Sequence, residues 1–255
     1  MDHVPSARQH DADGAPAGRS PRGLGKRLLL ALCLTLTAGF SALGVWQVER
    51  LAWKRQLITT VDTRLAAAPG PLPRWSEWST DRAYTRVSVT GVFLHDRETP
   101  VLAVTEAGPG WWVMTPLRTA AGVVLVNRGF VPTELRAPSS RPSGLTAGTV
   151  RVTGLLRTTE PGGAFLRSNA PAAGRWYSRD VEAIARARGL AEPVAPFFID
   201  ADAAANPGGY PRGGMTVVRF RNDHLVYALT WFALAALSLV GGVIVFRHRR
   251  RGSPS

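Results

Sequence analysis

"LLLALCLTLTAGFSALGVWQV", residues 28–48, is a run of 21 residues without a charged side chain. A helix rises about 1.5 Å per residue, so this run covers roughly the 30 Å hydrocarbon thickness of a bilayer. A second uncharged run of 22 residues covers 225–246. We therefore predict two transmembrane helices, at 26–48 and 225–246, in a chain of 255 residues.

The first apolar run could instead be a secretory signal peptide, which also pairs basic residues with an apolar segment. This run is longer than the apolar region of a signal peptide, and no small-residue cleavage site follows it directly. Its length favours a membrane anchor that stays in the mature protein.

Basic residues flank both runs on their outer sides. "RHRRR" at 247–251 follows the second run, and five basic residues precede the first: Arg8, Arg19, Arg22, Lys26 and Arg27. Such flanks stay in the cytoplasm. We therefore expect a disordered cytoplasmic tail at 1–25, a basic cytoplasmic tail at 247–255, and a periplasmic domain at 49–224, in the inner membrane of a bacterial cell.

The segment between the spans has the alternating pattern of strands. "RVSVTGVF" at 86–93 and "VRVTGLLR" at 150–157 each place their apolar residues on one face, with Gly91 and Gly154 on those faces. A glycine in such a position indicates a bulge or a close backbone approach. The two stretches are therefore expected to form related corners of one curved sheet.

Further elements complete the fold prediction. A hairpin is expected from strands at 111–117 and 123–130, with Pro116 placing the first strand at a sheet edge. Shorter strands are expected at 197–200 and 216–220. "DVEAIARARGL" predicts a helix with Asp180 as N-cap and Gly189 near its end. The predicted class is an α+β membrane protein in which two transmembrane helices flank a mostly antiparallel sheet or small barrel with one short helix.

Composition and motifs exclude several functions. The net charge of +13 resembles that of nucleic-acid-binding proteins, but no recognition signature accompanies it, and we expect no nucleic-acid partner. The single cysteine, Cys33, rules out an internal disulfide and a paired-cysteine copper or redox centre. The chain also lacks the common catalytic motifs, and Asp200 and Asp202 fit a turn after a strand. We therefore expect a protein that is not an enzyme.

Two tryptophans and two arginines are candidate partner contacts. Trp111 and Trp112 are neighbours on a predicted strand, so they point to opposite faces and one of them should be exposed. That side chain would be covered by the domain's own loops or lipid headgroups, or would contact another protein. Arg128 and Arg175 could pair with a partner's carboxylates, or could form structural ion pairs.

Aromatic residues gather where both spans meet the outer surface. Trp46, Arg50 and Trp53 share one helical face, while His224, Tyr227, Ala228 and Trp231 share another. The aromatic belt of any membrane protein predicts tryptophan and tyrosine there. An imidazole, flat rings and an arginine at this level would also suit haem iron and its propionates. The pairs Ala38/Ala42 and Ser238/Gly242 could allow close helix packing.

Eight blocks of the chain resemble the surfeit-locus family of cytochrome c oxidase assembly factors. In chain order they are "LGVWQVERLAWKRQLI", "GPGWWVMTPL", "VNRGFVP", "EPGGAFLRSN", "RWYSRD", "PFFIDAD", "NPGGYPRGG" and "RNDHLVYALTWFALA". They extend from about residue 43 to 236, which is most of the chain.

The resemblance implies a role in the biogenesis of haem-copper terminal oxidases, assisting the binding of haem a and its insertion into the catalytic subunit. The expected partners are that subunit and other assembly factors, and the expected cofactor is haem a, held transiently. His224 matches the family's histidine and is the expected axial ligand of the haem iron. Two alternatives remain: a scaffold that stabilises a nascent oxidase subunit without binding haem, and an extracytoplasmic enzyme.

Overall fold

The computed structural model describes residues 21–164, 166–216, 220 and 222–251. The chain divides into two compact units. One unit contains most of the two long apolar helices, in residues up to 55 and from 221 onward, and the other covers 56–220. The α+β class with two apolar helices flanking a sheet domain is confirmed.

The two long helices are α1, Pro21–Ala66, and α3, His224–Arg251. Their most apolar windows have mean hydropathies of 2.1 and 2.2, yet only 6% and 11% of those windows are buried inside the protein. So large an exposed apolar surface is unfavourable in water and favourable in lipid, so this is a membrane protein. Residues 21–25 are helical, which corrects their assignment to a disordered tail. The rest of that predicted tail and residues 252–255 lie outside the described residues.

The first unit is held together by one face of each helix. On α1 the buried positions Gly44, Gln47 and Leu51 follow helical spacing, as do Ala228 and Ala235 on α3. A Cβ atom at Gly44 would lie 2.6 Å from the ring of Phe232, so glycine permits this close packing.

The expected small-residue pairs are half right. Gly242 is buried and packs against Cys33, with Ser238 partly buried beside it. Ala38 and Ala42, in contrast, are exposed. The prediction for that pair is wrong, because the packed face of α1 follows Cys33, Thr37 and Gly44 instead.

The second unit is a β-barrel-like domain with one short helix. Helix α2 is Val181–Ala187, and the strands are β1 Arg86–Phe93, β2 Thr99–Thr105, β3 Gly108–Thr119, β4 Gly122–Pro132, β5 Thr149–Thr158, β6 Gly163–Ala164, β7 Arg167–Ser168 and β8 Val194–Ala201. Six strands form one sheet in the order β1, β5, β8, β4, β3, β2, and β6 pairs with β7. Within the sheet β4 and β8 are parallel, and the other pairs are antiparallel.

The sheet closes because β1 pairs with two strands. Residues 86–92 of β1 pair with β5, and the last two residues of β1, Val92 and Phe93, pair with β3. A Cβ atom at Gly91 would collide with the carbonyl oxygen of Arg118, and one at Gly154 with that of Asp200. The predicted close approaches at two corners of a curved sheet are confirmed.

The strand that contains Pro116 is internal, so the prediction of an edge strand is wrong. On one side β3 pairs with β4, with Pro116 opposite Leu125. On the other side, the first residue of β2, Thr99, pairs with Met114, and the last residue of β1, Phe93, pairs with Leu117. Between them, the Leu94 N–H donates to the Pro116 carbonyl at 2.9 Å. The missing N–H of proline therefore falls at the junction of two neighbouring strands, where no ladder bond is lost.

The sheet has a core on each face, because consecutive strand residues point to opposite sides. Phe197 and Ile199 belong to the core inside the barrel, whereas Phe198 packs outside against α2 and Trp176. The cap of α2 is as predicted: the Asp180 side chain accepts from the Ala183 N–H at 3.0 Å, and Gly189 has φ +59°.

Most other predicted strands are confirmed, although β2 carried no prediction. The expected strand at 216–220 falls partly on residues 217–219, outside the described residues. Helix α1 continues well past the predicted span, and in its last turn Arg64 donates to the carbonyls of Asp81 and Ala83. The chain after the span is therefore helical before the sheet begins.

Candidate functional site

The candidate site in the first unit is built around His224, the first residue of α3. Its Nδ1 atom lies 2.8 Å from the Oε1 atom of Gln47 on α1. Gln47 is 9% exposed, and His224 is half-buried. A buried amide needs a hydrogen-bond partner in an apolar environment, so each side chain satisfies the other.

The contact also determines which nitrogen of His224 is open to a ligand. An amide oxygen only accepts, so in the neutral ring the proton is on Nδ1 and the lone pair on Nε2 is free. Among the described residues, Nε2 has no hydrogen-bond partner. A neutral imidazole with its second nitrogen held by an acceptor is the form that binds a metal, so this donor fits haem iron.

The other predicted haem contacts have different surroundings. Trp231 stacks on Phe40 of α1, with ring centroids 5.6 Å apart, and Tyr227 is 52% exposed. On α1, Arg50 lies over the Trp53 ring at 4.0 Å, which confirms that these two share a face. Trp46 and Trp53 are 53% and 48% exposed and lie outside the buried face that contains Gln47.

The prediction that one tryptophan of the β3 pair is exposed is wrong. Both are half-buried. Trp112 packs on the outer core and against Phe130, whereas the Trp111 ring is covered by the Arg136 guanidinium at 4.1 Å. The domain's own chain thus covers Trp111 in part.

Arg128 is buried, which corrects its assignment as a partner contact. β4 has a bulge at Arg128 and Gly129: these two residues lie opposite a single residue of β3, because the register shifts there. Gly129 has φ +125°, and the carbonyl of Arg212 occupies the place of a Cβ atom. This bulge accompanies an Arg128 side chain that points inward, where it donates to the Gly144 carbonyl at 2.6 Å and to Asn206 at 2.9 Å. Burial lowers its pKa to about 10, so it stays charged at neutral pH.

Arg175 is exposed, and its neighbour Trp176 is 1% exposed in the outer core. Because consecutive residues here point in opposite directions, Trp176 anchors the segment before α2, while Arg175 faces solvent. Arg175 therefore remains the arginine of the predicted pair that another protein could reach.

Asp200 has no free capacity for acid–base chemistry. Its Oδ1 accepts from Asn127 at 2.8 Å and Arg179 at 3.1 Å, and its Oδ2 accepts from Arg157 at 2.6 Å and Thr216 at 3.0 Å. Four donors saturate a carboxylate, so Asp200 is structural. The nearby Asp202 forms an ion pair with Arg86 at 3.6 Å.

Sequence reasoning chose Trp46, Arg50 and Trp53 and missed Gln47, although a signal was present. Gln47 is the only amide side chain in the apolar run at 28–48. Such a group is costly in lipid, so its side chain is expected to face the partner helix. Aromatic content pointed instead to the adjacent face.

The chain thus combines a barrel-like domain with two apolar membrane helices, and a histidine of the second helix contacts the first. A profile of the SURF1 family matches residues 34–236. The chain is 38% identical to a SURF1-like protein of Monosiga brevicollis over 94% of each chain. It is also 38% identical to Surfeit locus protein 1 of Homo sapiens and of Mus musculus, over 83% and 80% of this chain and 74% and 71% of theirs. The chain belongs to the SURF1 family.

Proposed function

We propose that this protein is an assembly factor for a haem-copper terminal oxidase and that it holds haem a through His224 before insertion into the catalytic subunit. The family supports the assembly role. The contact between His224 and Gln47 supports haem binding, because it leaves one imidazole nitrogen available beside an apolar helix pair.

Within this proposal each residue of the first unit has a distinct role. His224 would hold the haem iron through the lone pair of Nε2. Gln47 holds the ring through Nδ1. Tyr227 and Trp46 offer exposed rings to an apolar macrocycle, and Arg50 offers a cation to a propionate.

The location follows from the same proposal. Basic residues at both ends keep the termini in the cytoplasm, and the barrel-like domain lies in the periplasm of a bacterial cell, where it meets the oxidase subunit. The exposed Arg175 is available to that subunit or to another assembly factor.

The test is the haem content of the protein purified from cells that make haem a. His224→Ala removes the donor without adding charge, so the Soret absorbance per mole of protein should fall well below that of wild type. The matched control is His248→Ala, because His248 lies exposed near the other end of α3. The control should keep the wild-type absorbance. Equal haem in His224→Ala and wild type would refute axial ligation and favour a scaffold that binds no haem.

A further inference from the structure

A cavity of about 890 Å³ lies on the outer face of the barrel-like domain. It is lined by β3, β4, β5 and β8 through Trp112, Asn127, Arg157 and Asp200, and by Arg212 and Met215 from the chain after β8. Asp200 is two residues after Phe198, so both side chains point to the same face of β8. The cavity therefore lies on the outer face of the sheet, beside the part that α2 covers. Its volume is in the range of small-molecule sites.

The acidic group in the cavity wall is already neutralised. Asp200 is 2% exposed and is bound by Arg157 and Arg179, and Arg179 also pairs with Glu160. Two carboxylates thus balance two guanidinium groups. Arg212 adds a positive charge to the wall, while Glu106 lies exposed on the turn between β2 and β3.

Two guanidinium groups keep donors for a ligand. Among the described residues, Arg157 donates to Asp200 through one nitrogen, and its Cζ atom lies 5.1 Å from the centre of the Tyr84 ring. The Arg212 side chain is exposed, but its backbone is fixed: its N–H and carbonyl both pair with Phe130 at 2.9 Å. A carboxylate is the usual partner of such donors.

The same cavity has an apolar wall. Trp112 lines it, half-buried, and Met215 lies partly buried on the segment that also carries Arg212. An indole and a thioether favour an apolar or aromatic body. Guanidinium donors and an apolar wall in one cavity define a ligand that combines both properties.

We propose that this cavity binds an apolar molecule bearing a carboxylate, with the carboxylate on Arg157 and Arg212 and the apolar body against Trp112. The site lies within the β-barrel-like unit and does not depend on iron ligation by His224. The same chemistry is found in a tetrapyrrole with propionates and in a smaller aromatic acid.

Binding can be measured on the detergent-solubilised full chain by equilibrium dialysis, with micelles in both compartments to cancel partition. The first probe is 2-naphthoate, compared with 2-naphthylmethanol, which lacks the charge. The second is metal-free protoporphyrin IX, compared with its dimethyl ester. Neither probe contains iron, so His224→Ala should bind both like wild type, and loss of haem in that variant stays separate from this test.

We expect each acid to bind at least about tenfold more tightly than its neutral analogue, because hydrogen bonds to charged groups are lost in the latter. Arg212→Gln should weaken acid binding by about tenfold, since the residue lies outside the Asp200 network and its loss should leave the fold intact. Arg157→Lys, which keeps the charge beside Asp200, should weaken it as well. Arg74→Gln, another exposed arginine of this domain, should have no effect.

Each outcome decides the proposal. Tighter binding of protoporphyrin than of naphthoate, with both sensitive to Arg212→Gln, would assign the cavity to a tetrapyrrole. The reverse order with the same sensitivity would assign it to a smaller acid. Equal binding of acids and neutral analogues, or acid binding that Arg212→Gln leaves unchanged, would overturn the proposed site.

Discussion

The Nδ1 atom of His224 lies 2.8 Å from the Oε1 atom of Gln47, which joins the first turn of α3 to the middle of α1. The two residues are 177 positions apart in the chain. In an apolar environment this hydrogen bond orients the imidazole ring and selects its tautomer. Gln47 is therefore a positioning residue for the proposed haem ligand.

Replacing Gln47 by leucine should reduce haem affinity by about 10–100-fold, as loss of a residue that orients a metal ligand commonly does. The readouts are haem titration of the purified protein and the position of the Soret band. Gln56→Leu is the control, because Gln56 lies exposed on the same helix and should bind haem normally. Glutamate at position 47 keeps an acceptor and should restore most of the affinity. If Gln47→Leu binds haem like Gln56→Leu, Gln47 has no positioning role.

The membrane orientation predicts the result of reporter fusions. Alkaline phosphatase fused after about residue 140 should be active, because the barrel-like domain is outside the cytoplasm in this proposal. The same enzyme fused after Arg251 should be inactive, since basic residues hold that end inside. The opposite activities would reverse the orientation, and activity of both fusions would place the two termini on different sides.

The tryptophan pair predicts two different phenotypes. Trp111→Ser should reduce co-purification of the oxidase catalytic subunit while the amount of protein in the membrane stays normal, because the Trp111 ring belongs to neither core cluster and lies against the exposed Arg136 side chain. Trp112→Ser should lower the protein's own level, because Trp112 packs on the outer core. Val104→Ser, at an 85% exposed residue, is the control. A Trp111→Ser protein that retains the subunit fully would exclude Trp111 as a contact.

The buried ion pair of Glu98 and Arg141 should stabilise the domain only as a pair. Their side chains are 2% and 3% exposed. Glu98→Ala would leave a buried positive charge without its partner and should cost roughly 3–5 kcal/mol in the free energy of unfolding. The double substitution Glu98→Ala/Arg141→Ala should cost less than the sum of the two single changes.

The measurement is denaturant unfolding followed by tryptophan fluorescence. Asp96→Ala is the control, because Asp96 is 72% exposed in its ion pair with Arg97, and surface pairs contribute about 1 kcal/mol or less. Additive effects at Glu98 and Arg141 would show that the two charges act independently.

Stability should fall in acid through Glu160. Burial alone would raise the pKa of this carboxyl, but hydrogen bonds from Arg179 and its charge outweigh burial, so the pKa is below the ordinary value. A carboxyl with a lowered folded-state pKa stabilises the fold above the unfolded pKa, and that stabilisation is lost as the pH falls through the folded pKa. Wild type and Glu160→Gln should therefore differ in unfolding free energy at neutral pH, and the difference should shrink below about pH 4.5 and vanish below the folded-state pKa. Glu134→Gln, at an exposed glutamate, should match wild type throughout; a pH-independent gap for Glu160→Gln would contradict the assignment.

Local patterns were sufficient for much of the fold. The alternation at 86–93 predicted β1 with its observed bounds, and Asp180 and Gly189 marked the ends of a helix correctly. The edge-strand prediction from Pro116 was wrong, because an edge strand and a junction between two neighbouring strands both tolerate a missing N–H. Only the pairing of β3 with β1, β2 and β4 distinguishes them.

The site was predictable in part for the same reason. His224 stood out because it begins an apolar helix, but the identity of its partner depended on which face of α1 packs against α3. Likewise the local sequence could not show which acceptors Arg128 finds when buried, since the Gly144 carbonyl and Asn206 are 16 and 78 positions away in the chain.

By itself, the sequence determined two membrane helices, a β-rich domain between them and a histidine at the start of the second helix, because hydropathy and periodicity act over neighbouring residues. The tertiary structure alone decided the closure of the barrel, the bond from Gln47 to His224 and the grouping of Arg157, Asp200 and Arg212 around one cavity. These depend on contacts between segments far apart in the chain, where burial and hydrogen-bond satisfaction of the whole fold select one arrangement among many that the local pattern allows.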